Sequence, residues 1–265
     1  MIVDAHQHFW DPARFDYPWL TDEVAALRRA YLPDDLRPLL AANGVARTVL
    51  VQATSSLDET RWLLELAAAS GFVHGVVGWV DLTGDVPAQL SGLTGPLVGA
   101  RHQVHDEADA NWLLRDDVQR GIAALGEAGL VFDLLVRVRE LPAAVETVRR
   151  QPDVRFVLDH VAKPPLRAGD LTAWADGVAA LGAEPNTACK LSGLFTEAER
   201  GADLRGVVEQ ALGWFGPERC MFGSDWPVCL LAARYEETLA LVRDVAPEGV
   251  LAATALATYA SRIAP

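Results

Sequence analysis

The sequence predicts an α/β protein folded as a single-domain (β/α)8 TIM barrel. Eight short runs rich in β-branched and apolar residues alternate with stretches whose apolar residues recur at three- and four-residue spacing. Strands that alternate with helices pair in parallel, and eight such units favour a closed barrel. The chain has 265 residues, and no linker or change of composition divides it. We therefore expect one domain over residues 1–265, a common size for this barrel.

The eight predicted strands are short and each is followed by a turn: Ile2–His6, Thr48–Gln52, Val73–Val80, Leu97–Gln103, Val131–Val136, Arg155–Asp159, Thr187–Leu191 and Arg219–Gly223. The clearest helical stretches between them are Thr60–Ala69, Val118–Ala128 and Leu204–Phe215. The weakest units are the third, whose helix must fall within Leu82–Gly95, and the eighth, which precedes a further helix at Gly249–Ser261. A doubly wound open sheet is the alternative, but it would normally place a glycine-rich turn after the first strand. This chain has His-Gln-His-Phe-Trp there.

Several helix ends carry local signals. Ser56 followed by Glu59 predicts a capping box at the start of the second helix, and Gly71 suits the left-handed residue at its end. Further end signals are Asn43-Gly44, Asp116 or Asp117 as a cap for the helix that Gly129 ends, and Gly216-Pro217.

Composition and charge exclude several classes of function. The net charge of −13 argues against a nucleic-acid partner and against an anionic membrane surface. No run approaches the roughly 20 apolar residues of a transmembrane helix, and no secretory signal is recognisable at the N-terminus. The three cysteines form no C-x-x-C pair, which indicates reduced thiols. We expect a cytoplasmic protein with a small-molecule partner, and the sequence leaves its oligomeric state open.

A His-Gln-His triplet ends the first strand. Because side chains alternate along a strand, His6 and His8 should lie on one face, where two imidazoles can hold a metal ion or polarise a substrate oxygen. By the same alternation, Asp4 should project into the barrel one layer below and orient a histidine. Hydrogen-bonded core histidines are the bland alternative.

Polar residues collect at the ends of the other strands, where a barrel builds its active site. His160 meets a proline-stiffened loop, whereas Asp159 should face away from it. Asp225 is the best candidate for a general base, with a helix N-cap as its alternative role. Arg101 pointing inward could hold a carbonyl, a carboxylate or an oxyanion; its alternative is a salt bridge to Asp106-Glu107.

The remaining candidates would bind the substrate. Lys190 alternates inward, although a structural lysine is nearly as plausible. Three tryptophans could form apolar walls around a cyclic substrate, or could only pack the rim. The complete substrate-binding set is Trp10, Gln52, Trp79, His102, Gln103, Lys190 and Trp226.

Four motifs occur in a recognisable order: His-Gln-His-Phe-Trp at 6–10, Asp-His-x-Ala-Lys-Pro at 159–164, Lys-Leu-Ser-Gly-Leu at 190–194 and Phe-Gly-Ser-Asp-Trp-Pro at 222–227. Together they resemble the amidohydrolase-related (amidohydrolase 2) family, and most of all its branch of sugar-acid lactonases. The resemblance spans His6 to about Trp226, and it implies a (β/α)8 barrel and lactone hydrolysis.

The chain differs from the metal-dependent members of the superfamily in the residues of its fourth and fifth strands. Those members typically carry a lysine on the fourth strand and a histidine on the fifth, whereas this chain has Arg101-His102 and no histidine on the fifth. A two-metal centre is therefore not expected. Either one divalent ion, zinc foremost, is held by His6, His8, His160 and Asp225, or the protein needs no metal. No organic cofactor is expected.

The predicted function is the opening of a lactone ring, such as that of L-fuconolactone or L-rhamnonolactone, by water that Asp225 activates. His6, His8 and His160 would orient the water and polarise the carbonyl, and Arg101 would stabilise the oxyanion. The first alternative is a zinc-dependent decarboxylase of an aromatic or unsaturated acid. The second is a non-catalytic barrel that binds a ligand or a metal.

Overall fold

The protein is a nearly closed parallel barrel. In the computed structural model, which describes residues 1–260, eight strands form one sheet in the order β1 to β8, and each neighbouring pair is parallel. The strands are β1 Ile2–Gln7, β2 Val45–Val51, β3 Val73–Gly78, β4 Leu97–His102, β5 Val131–Leu134, β6 Arg155–Leu158, β7 Thr187–Leu191 and β8 Cys220–Phe222. His8 N–H donates to the Trp226 carbonyl over 2.7 Å, and Asp225 N–H donates to the His6 carbonyl over 2.8 Å. These bonds join the segment that follows β8 to the end of β1 and nearly close the sheet, so the predicted barrel is confirmed.

Helices connect the strands around the outside. They are α1 Pro33–Asn43, α2 Leu57–Ser70, α3 Val86–Ser91, α4 Asp116–Glu127, α5 Leu141–Arg150, α6 Thr172–Gly182, α7 Leu194–Glu197, α8 Arg205–Phe215, α9 Tyr235–Val245 and α10 Ala253–Thr258. The weak third unit is indeed a short helix, α3. The helix predicted at Gly249–Ser261 is split into a 3-10 turn, Glu248–Leu251, and α10. Its predicted end, like residues 261–265 of the predicted domain, lies outside the described residues.

The helix ends confirm part of the local chemistry. Gly44 and Gly71 adopt left-handed conformations after α1 and α2, and Ser56 Oγ accepts the Glu59 N–H over 3.2 Å. The second half of the capping box does not form. The Glu59 carboxylate instead accepts the backbone N–H groups of Ala53 and Thr54, each over 3.1 Å, and so holds the loop after β2.

The predicted aspartate cap of α4 is wrong. The helix already begins at Asp116, and no side chain caps it. Asp117 lies one position further inside, where its carboxylate pairs with the Arg115 guanidinium over 2.6 Å and accepts the Val118 N–H over 2.9 Å. The two adjacent aspartates in the sequence therefore did not show that the helix begins earlier than a cap at either of them requires.

Two apolar clusters pack against the sheet. The larger cluster lies between the strands and the outer helices, and the smaller takes one or two mostly small side chains from every strand and fills the barrel. Ala255 and Tyr259, in and just after α10, belong to the smaller cluster. They close the end of the barrel at which the strands begin.

The first strand does not alternate regularly, so the expectation for Asp4 is wrong. Val3 and Ala5 belong to the interior cluster, and the pairing register of β1 with β2 shifts between Asp4 and Gln7. The buried Asp4 carboxylate bonds to Ser224 Oγ at 2.6 Å, to the Tyr235 hydroxyl of α9 at 2.9 Å and to the His6 N–H at 3.1 Å. Asp4 thus anchors the backbone of His6 and not an imidazole ring.

Across residues 1–260, no helix is both long enough and apolar enough to cross a bilayer.

Two glycines test how tightly the outer helices pack. A Cβ on Gly121 of α4 would overlap the carbonyl oxygen of Leu82 and lie 2.8 Å from its Cα, whereas one on the exposed Gly213 of α8 would meet nothing within 4 Å. We expect Gly121→Ala to destabilise the fold by about 1–3 kcal/mol through overpacking. Gly213→Ala should stabilise it by about 0.5–1 kcal/mol through helix propensity. Chemical denaturation of both variants measures the difference, and equal effects would contradict this packing.

The buried carboxyl of Glu59 should make stability depend on pH. Burial raises its pKa from 4.5 to about 7, so its ionised form is disfavoured in the folded state. Wild-type stability should therefore fall as the pH rises through this window, by about 3 kcal/mol in all. Glu59→Gln keeps an acceptor for the two N–H groups but does not titrate. The variant should gain stability relative to the wild type between pH 4.5 and 7 in thermal unfolding scans.

The matched control for this titration is Glu65→Gln on the exposed side of the same helix. A constant offset between Glu59→Gln and the wild type at every pH would show that Glu59 is not the titrating group.

Candidate active site

Three imidazoles and one carboxylate converge where the strands end. His6 Nε2 lies 3.1 Å from His8 Nε2. Asp225 Oδ1 lies 3.7 Å from His6 Nε2, 3.5 Å from His8 Nε2 and 3.9 Å from His160 Nε2. All four side chains are buried. The chain thus brings together the four residues that the sequence placed at the ends of three different strands.

Unusual backbone at the mouth of the barrel aims two of these side chains. His160 has φ 55° and opens a run of four left-handed residues that ends at Lys163, and Asp225 has φ 57°. Such conformations cost of order 1–2 kcal/mol for each L-residue and cluster at functional sites. Gly223 lets the segment that leads to Asp225 pass close to His6, because a Cβ at position 223 would lie 2.8 Å from the Cβ of His6.

The far nitrogen of each imidazole has its own partner. His8 Nδ1 lies 2.8 Å from the Val51 carbonyl oxygen, so it must carry the hydrogen and leave a lone pair on Nε2. His160 Nδ1 lies 2.8 Å from Ser192 Oγ, and His6 Nδ1 lies 3.3 Å from Asp159 Oδ1. These contacts fix the rings with their Nε2 atoms towards Asp225, as outer partners do in metal sites.

The protonation states suit both a base and a metal ligand set. Burial lowers the pKa of His6, His8 and His160, that of His160 to about 4, so the rings are neutral at pH 7. Burial alone would raise the pKa of Asp225, but the surrounding imidazoles, His160 first, hold it below its usual range. Asp225 is therefore a carboxylate.

Neutral imidazoles and a carboxylate are the ligands that zinc prefers. Ligand atoms of His6, His160 and Asp225 all lie within 4.8 Å of one another, and His8 Nε2 borders the same point. The residues present therefore fit one divalent metal ion. Within the described part of the chain, this is the group of His, Cys, Asp and Glu side chains that meets this criterion.

A layer of paired charges lies directly beneath the imidazoles. Asp159 accepts from Arg101 Nη1 over 2.9 Å and lies 2.9 Å from Lys190 Nζ, and Lys190 Nζ also donates to Asp133 over 2.5 Å. The Tyr259 hydroxyl closes the layer from below, 2.8 Å from Asp133. Although burial would raise the pKa of Asp159, Lys190 and then His6 hold it well below its usual range.

The expectation that Asp159 faces away from the site is therefore wrong. His160 begins the left-handed run, so strand alternation no longer applies at the Asp159–His160 step, and both side chains reach the interior. Arg101 also does not pair with Asp106-Glu107. Its Nη1 is engaged by Asp159 and lies 3.2 Å from His6 Nε2, and its Nη2 donates to the Gln52 carbonyl over 2.6 Å.

An open cavity of about 170 Å³ lies above the four converging residues. Its lining residues are His8, Trp19, Ala53, Arg101, Gln103, His105, Asp106, Leu135, His160, Lys163, Asp225 and Val228. The volume is small beside the roughly 300–1,000 Å³ of sites for drug-sized ligands, so the cavity suits a small ring.

Of the predicted substrate-binding residues, Gln103 reaches the cavity wall. The others do not line it: Trp10, Gln52, Trp79, His102, Lys190 and Trp226. Trp10 donates its indole N–H to the Leu27 and Arg29 carbonyls and packs against Trp19. Trp226 packs edge-on against Phe9 and Tyr31.

His102 and Trp79 bond to each other and do not line the cavity. The Trp79 indole N–H donates to His102 Nδ1 over 3.1 Å, so His102 Nε2–H donates to Glu107 over 2.7 Å. The His102 ring also stacks on Trp112 with 4.1 Å between centroids. Gln52 is buried and donates to the Arg101 carbonyl over 3.3 Å.

The sequence places Lys163 at the end of the sixth predicted strand and His105 just after the fourth, but it gave neither of them, nor Trp19, a role in the site. His105 and Lys163 each follow a predicted strand end by two to four residues, and this proximity was an available signal. Trp19 lies in the long connection between β1 and α1, where no periodic pattern marks it. Its indole N–H donates to the Ala53 carbonyl over 2.8 Å, which fixes the ring at the cavity wall.

Known proteins share this architecture. The family model described as amidohydrolase matches residues 3–259. An L-fucono-1,5-lactonase of Burkholderia ambifaria is 44% identical, over 88% of this chain and 82% of that protein. One of Burkholderia multivorans is 43% identical, over 95% of this chain and 90% of that protein. A crystal structure of an amidohydrolase from Burkholderia multivorans with bound zinc superposes with a TM-score of 0.92 at 40% identity and covers 98% of this chain and 99% of that one.

The ligand set predicts that the chelator-treated protein binds one zinc ion per chain. His160→Ala removes one ligand and should weaken zinc binding by about 100-fold or more, in line with the cost of disturbing a metal site. Isothermal titration with zinc measures both. His74→Gln is the control, because His74 lies at the start of β3 and bonds to the Tyr259 carbonyl. Equal zinc affinity of wild type and His160→Ala would contradict the site.

Proposed function

Since the chain belongs to the amidohydrolase family, we propose that it is an enzyme that opens the ring of a lactone by hydrolysis. One observation carries the proposal: the ionised Asp225 faces three neutral imidazoles at the base of a small cavity. Two relatives at 43–44% identity are named as L-fucono-1,5-lactonases. The activity is that of a carboxylic-ester hydrolase.

The substrate class follows from the cavity. It has room for a small ring, and its lining combines polar groups with the indole of Trp19. Such a wall suits a sugar lactone, which offers hydroxyl groups on its edge and C–H groups on its faces. We therefore propose a sugar-acid lactone, with L-fucono-1,5-lactone as the first compound to test and L-rhamnonolactone as the second.

Asp225 is the proposed base. Its carboxylate takes a proton from a water molecule as the water oxygen bonds to the lactone carbonyl carbon. The bond from that carbon to the ring oxygen then breaks, and Asp225 returns the proton to the departing ring oxygen. The product is an open-chain hydroxy acid, and the base is regenerated. His6, His8 and His160 surround the water and orient it.

A divalent metal would be held by His6, His8, His160 and Asp225. When bound there, it supplies Lewis-acid polarisation of the carbonyl and favours ionisation of the attacking water. No organic cofactor enters the proposal. Arg101 borders the cavity, but Asp159 and the Gln52 carbonyl engage its terminal nitrogens. Its contribution is to hold His6 and Asp159 in place.

The predicted alternatives find less support. A zinc-dependent decarboxylase and a non-catalytic barrel would share this fold and ligand set, but the relatives at 43–44% identity are named as lactonases. Asp225 also lies beside three imidazoles, where it can act as a base, and a non-catalytic barrel would not require a base at this position.

We also propose that the protein works in the cytoplasm on a small molecule. Cys189, Cys220 and Cys229 are all buried and unpaired, as expected where thiols stay reduced. The acidic surface argues against nucleic acid as a partner.

Replacing the proposed base should abolish turnover while the fold survives. With L-fucono-1,5-lactone and a pH indicator that reports acid release, Asp225→Asn should lower kcat by at least about 100-fold, the range of general-base catalysis. Asp153→Asn, in an exposed turn, is the matched control. Runs with and without chelator report the metal requirement. Near-normal turnover in Asp225→Asn, or no sugar lactone opened by the wild type, would refute the proposal.

A further inference from the structure

The chain uses lysine in an exceptional way. Its 265 residues include 21 arginines but two lysines, Lys163 and Lys190. Lys190 is the buried ammonium of the charge layer beneath the imidazoles. Lys163 lines the cavity. Arginine thus supplies every other cation of the side chains, and both lysines lie at the active site.

The backbone delivers Lys163 to the cavity at an energetic cost. The four residues from His160 to Lys163 have φ angles of 55°, 49°, 57° and 48°. The Lys163 N–H donates to the His160 carbonyl over 2.8 Å, and the Trp174 indole N–H holds the Val161 carbonyl over 2.7 Å. In a turn closed by such an i to i+3 bond, the first and fourth side chains project in the same direction. The turn therefore presents His160 and Lys163 to the cavity together.

The Lys163 ammonium has no protein partner among residues 1–260: none of the hydrogen bonds or ion pairs found there involves Nζ. Nearby charges are satisfied elsewhere. The Arg137 guanidinium makes two bonds to Glu197, at 3.1 and 3.3 Å, and both terminal nitrogens of Arg101 are engaged. The three N–H donors of Lys163 therefore have no acceptor among the described residues, and the residue lines the cavity.

On the basis of the proposed function, we propose that the Lys163 ammonium binds the acyl oxygen of the lactone and then the product carboxylate. The acyl carbon must lie beside the water that Asp225 activates. Asp225 Oδ1 lies 3.9 Å from His160 Nε2. Lys163 leaves the same turn as His160 and both line the cavity, so its ammonium can reach the oxygen of the same acyl group. Negative charge grows on this oxygen during attack and persists in the carboxylate, where a cation stabilises it.

Lysine is the better cation for this place. An ammonium is a compact point charge with three rotatable donors, whereas a guanidinium is a wide, planar fork that matches a carboxylate by two parallel bonds. In a cavity of about 170 Å³, the smaller group leaves room for the ring. This difference in size explains why position 163 carries a lysine in a chain that otherwise uses arginine almost throughout.

The test separates the carboxylate from the rest of the ligand. L-fuconate is the product of L-fucono-1,5-lactone, and L-fucitol is the same polyol with a CH2OH group in place of the carboxylate. Isothermal titration measures the Kd of each for the wild type, Lys163→Met and Lys163→Arg. Arg167→Met is the matched control, because Arg167 lies on the same loop but bonds to the Ala198 carbonyl outside the cavity. Steady-state kinetics and zinc titration of each protein complete the set.

We expect Lys163→Met to weaken L-fuconate binding and to lower kcat/KM by at least about 10-fold, while L-fucitol affinity, zinc affinity and Tm change little. Lys163→Arg should restore part of the loss, and Arg167→Met should match the wild type. Unchanged L-fuconate binding in Lys163→Met would overturn the assignment, as would an equal loss for L-fuconate and L-fucitol, which would indicate a structural role. A wild type that opens no sugar lactone fails the proposed function itself, whereas an active wild type with an unaffected Lys163→Met variant fails this inference alone.

Discussion

The buried ion pairs beneath the imidazoles are the constraint on which the site depends. Two carboxylates and two cations, Asp133, Asp159, Arg101 and Lys190, are withdrawn from water inside the barrel. Burial of an unpaired charge costs several kcal/mol, so each member requires the others. Because they come from β4, β5, β7 and the end of β6, the layer fixes the register of these strands at the mouth. The ring of His6 rests on this layer and takes its orientation from it.

Strained backbone and the contacts of Asp4 position the remaining side chains at the mouth of the barrel. Asp4 ties the loop after β8 to the backbone of His6, and this loop carries Asp225 in a left-handed conformation. The left-handed turn after β6 does the same for His160 and Lys163. A regular strand end would send adjacent side chains to opposite faces. The irregular backbone lets residues that are neighbours in sequence reach one cavity, and the packed barrel below supports its cost.

The charge layer also divides the work among the cations. Arg101 and Lys190 hold the base of the site: each terminal nitrogen of Arg101 is bonded to the protein, and Lys190 Nζ contacts both Asp133 and Asp159. Within residues 1–260, Lys163 is a cavity-lining cation whose ammonium makes no hydrogen bond or ion pair with the protein. The site thus has a structural tier of paired charges and a reactive tier of neutral rings, one carboxylate and one free ammonium. Such a separation keeps the reacting groups in their required protonation states.

The barrel, and the meeting of four polar residues at its mouth, could be predicted from the sequence. Periodicity and turn chemistry depend on neighbours in the chain, and His6, His8, His160 and Asp225 lie at strand ends that any parallel barrel brings together. By contrast, the directions of Asp4 and Asp159, and the packing of Trp10 and Trp226 away from the cavity, depend on the folded barrel. A register shift between β1 and β2 and a left-handed turn after β6 override the regular alternation of side chains. The shift depends on pairing with a strand that is remote in sequence, and the indole of Trp174 on α6 holds the turn. The cavity wall likewise depends on how loops fold back, which is why Trp19 could be placed only by the assembled fold.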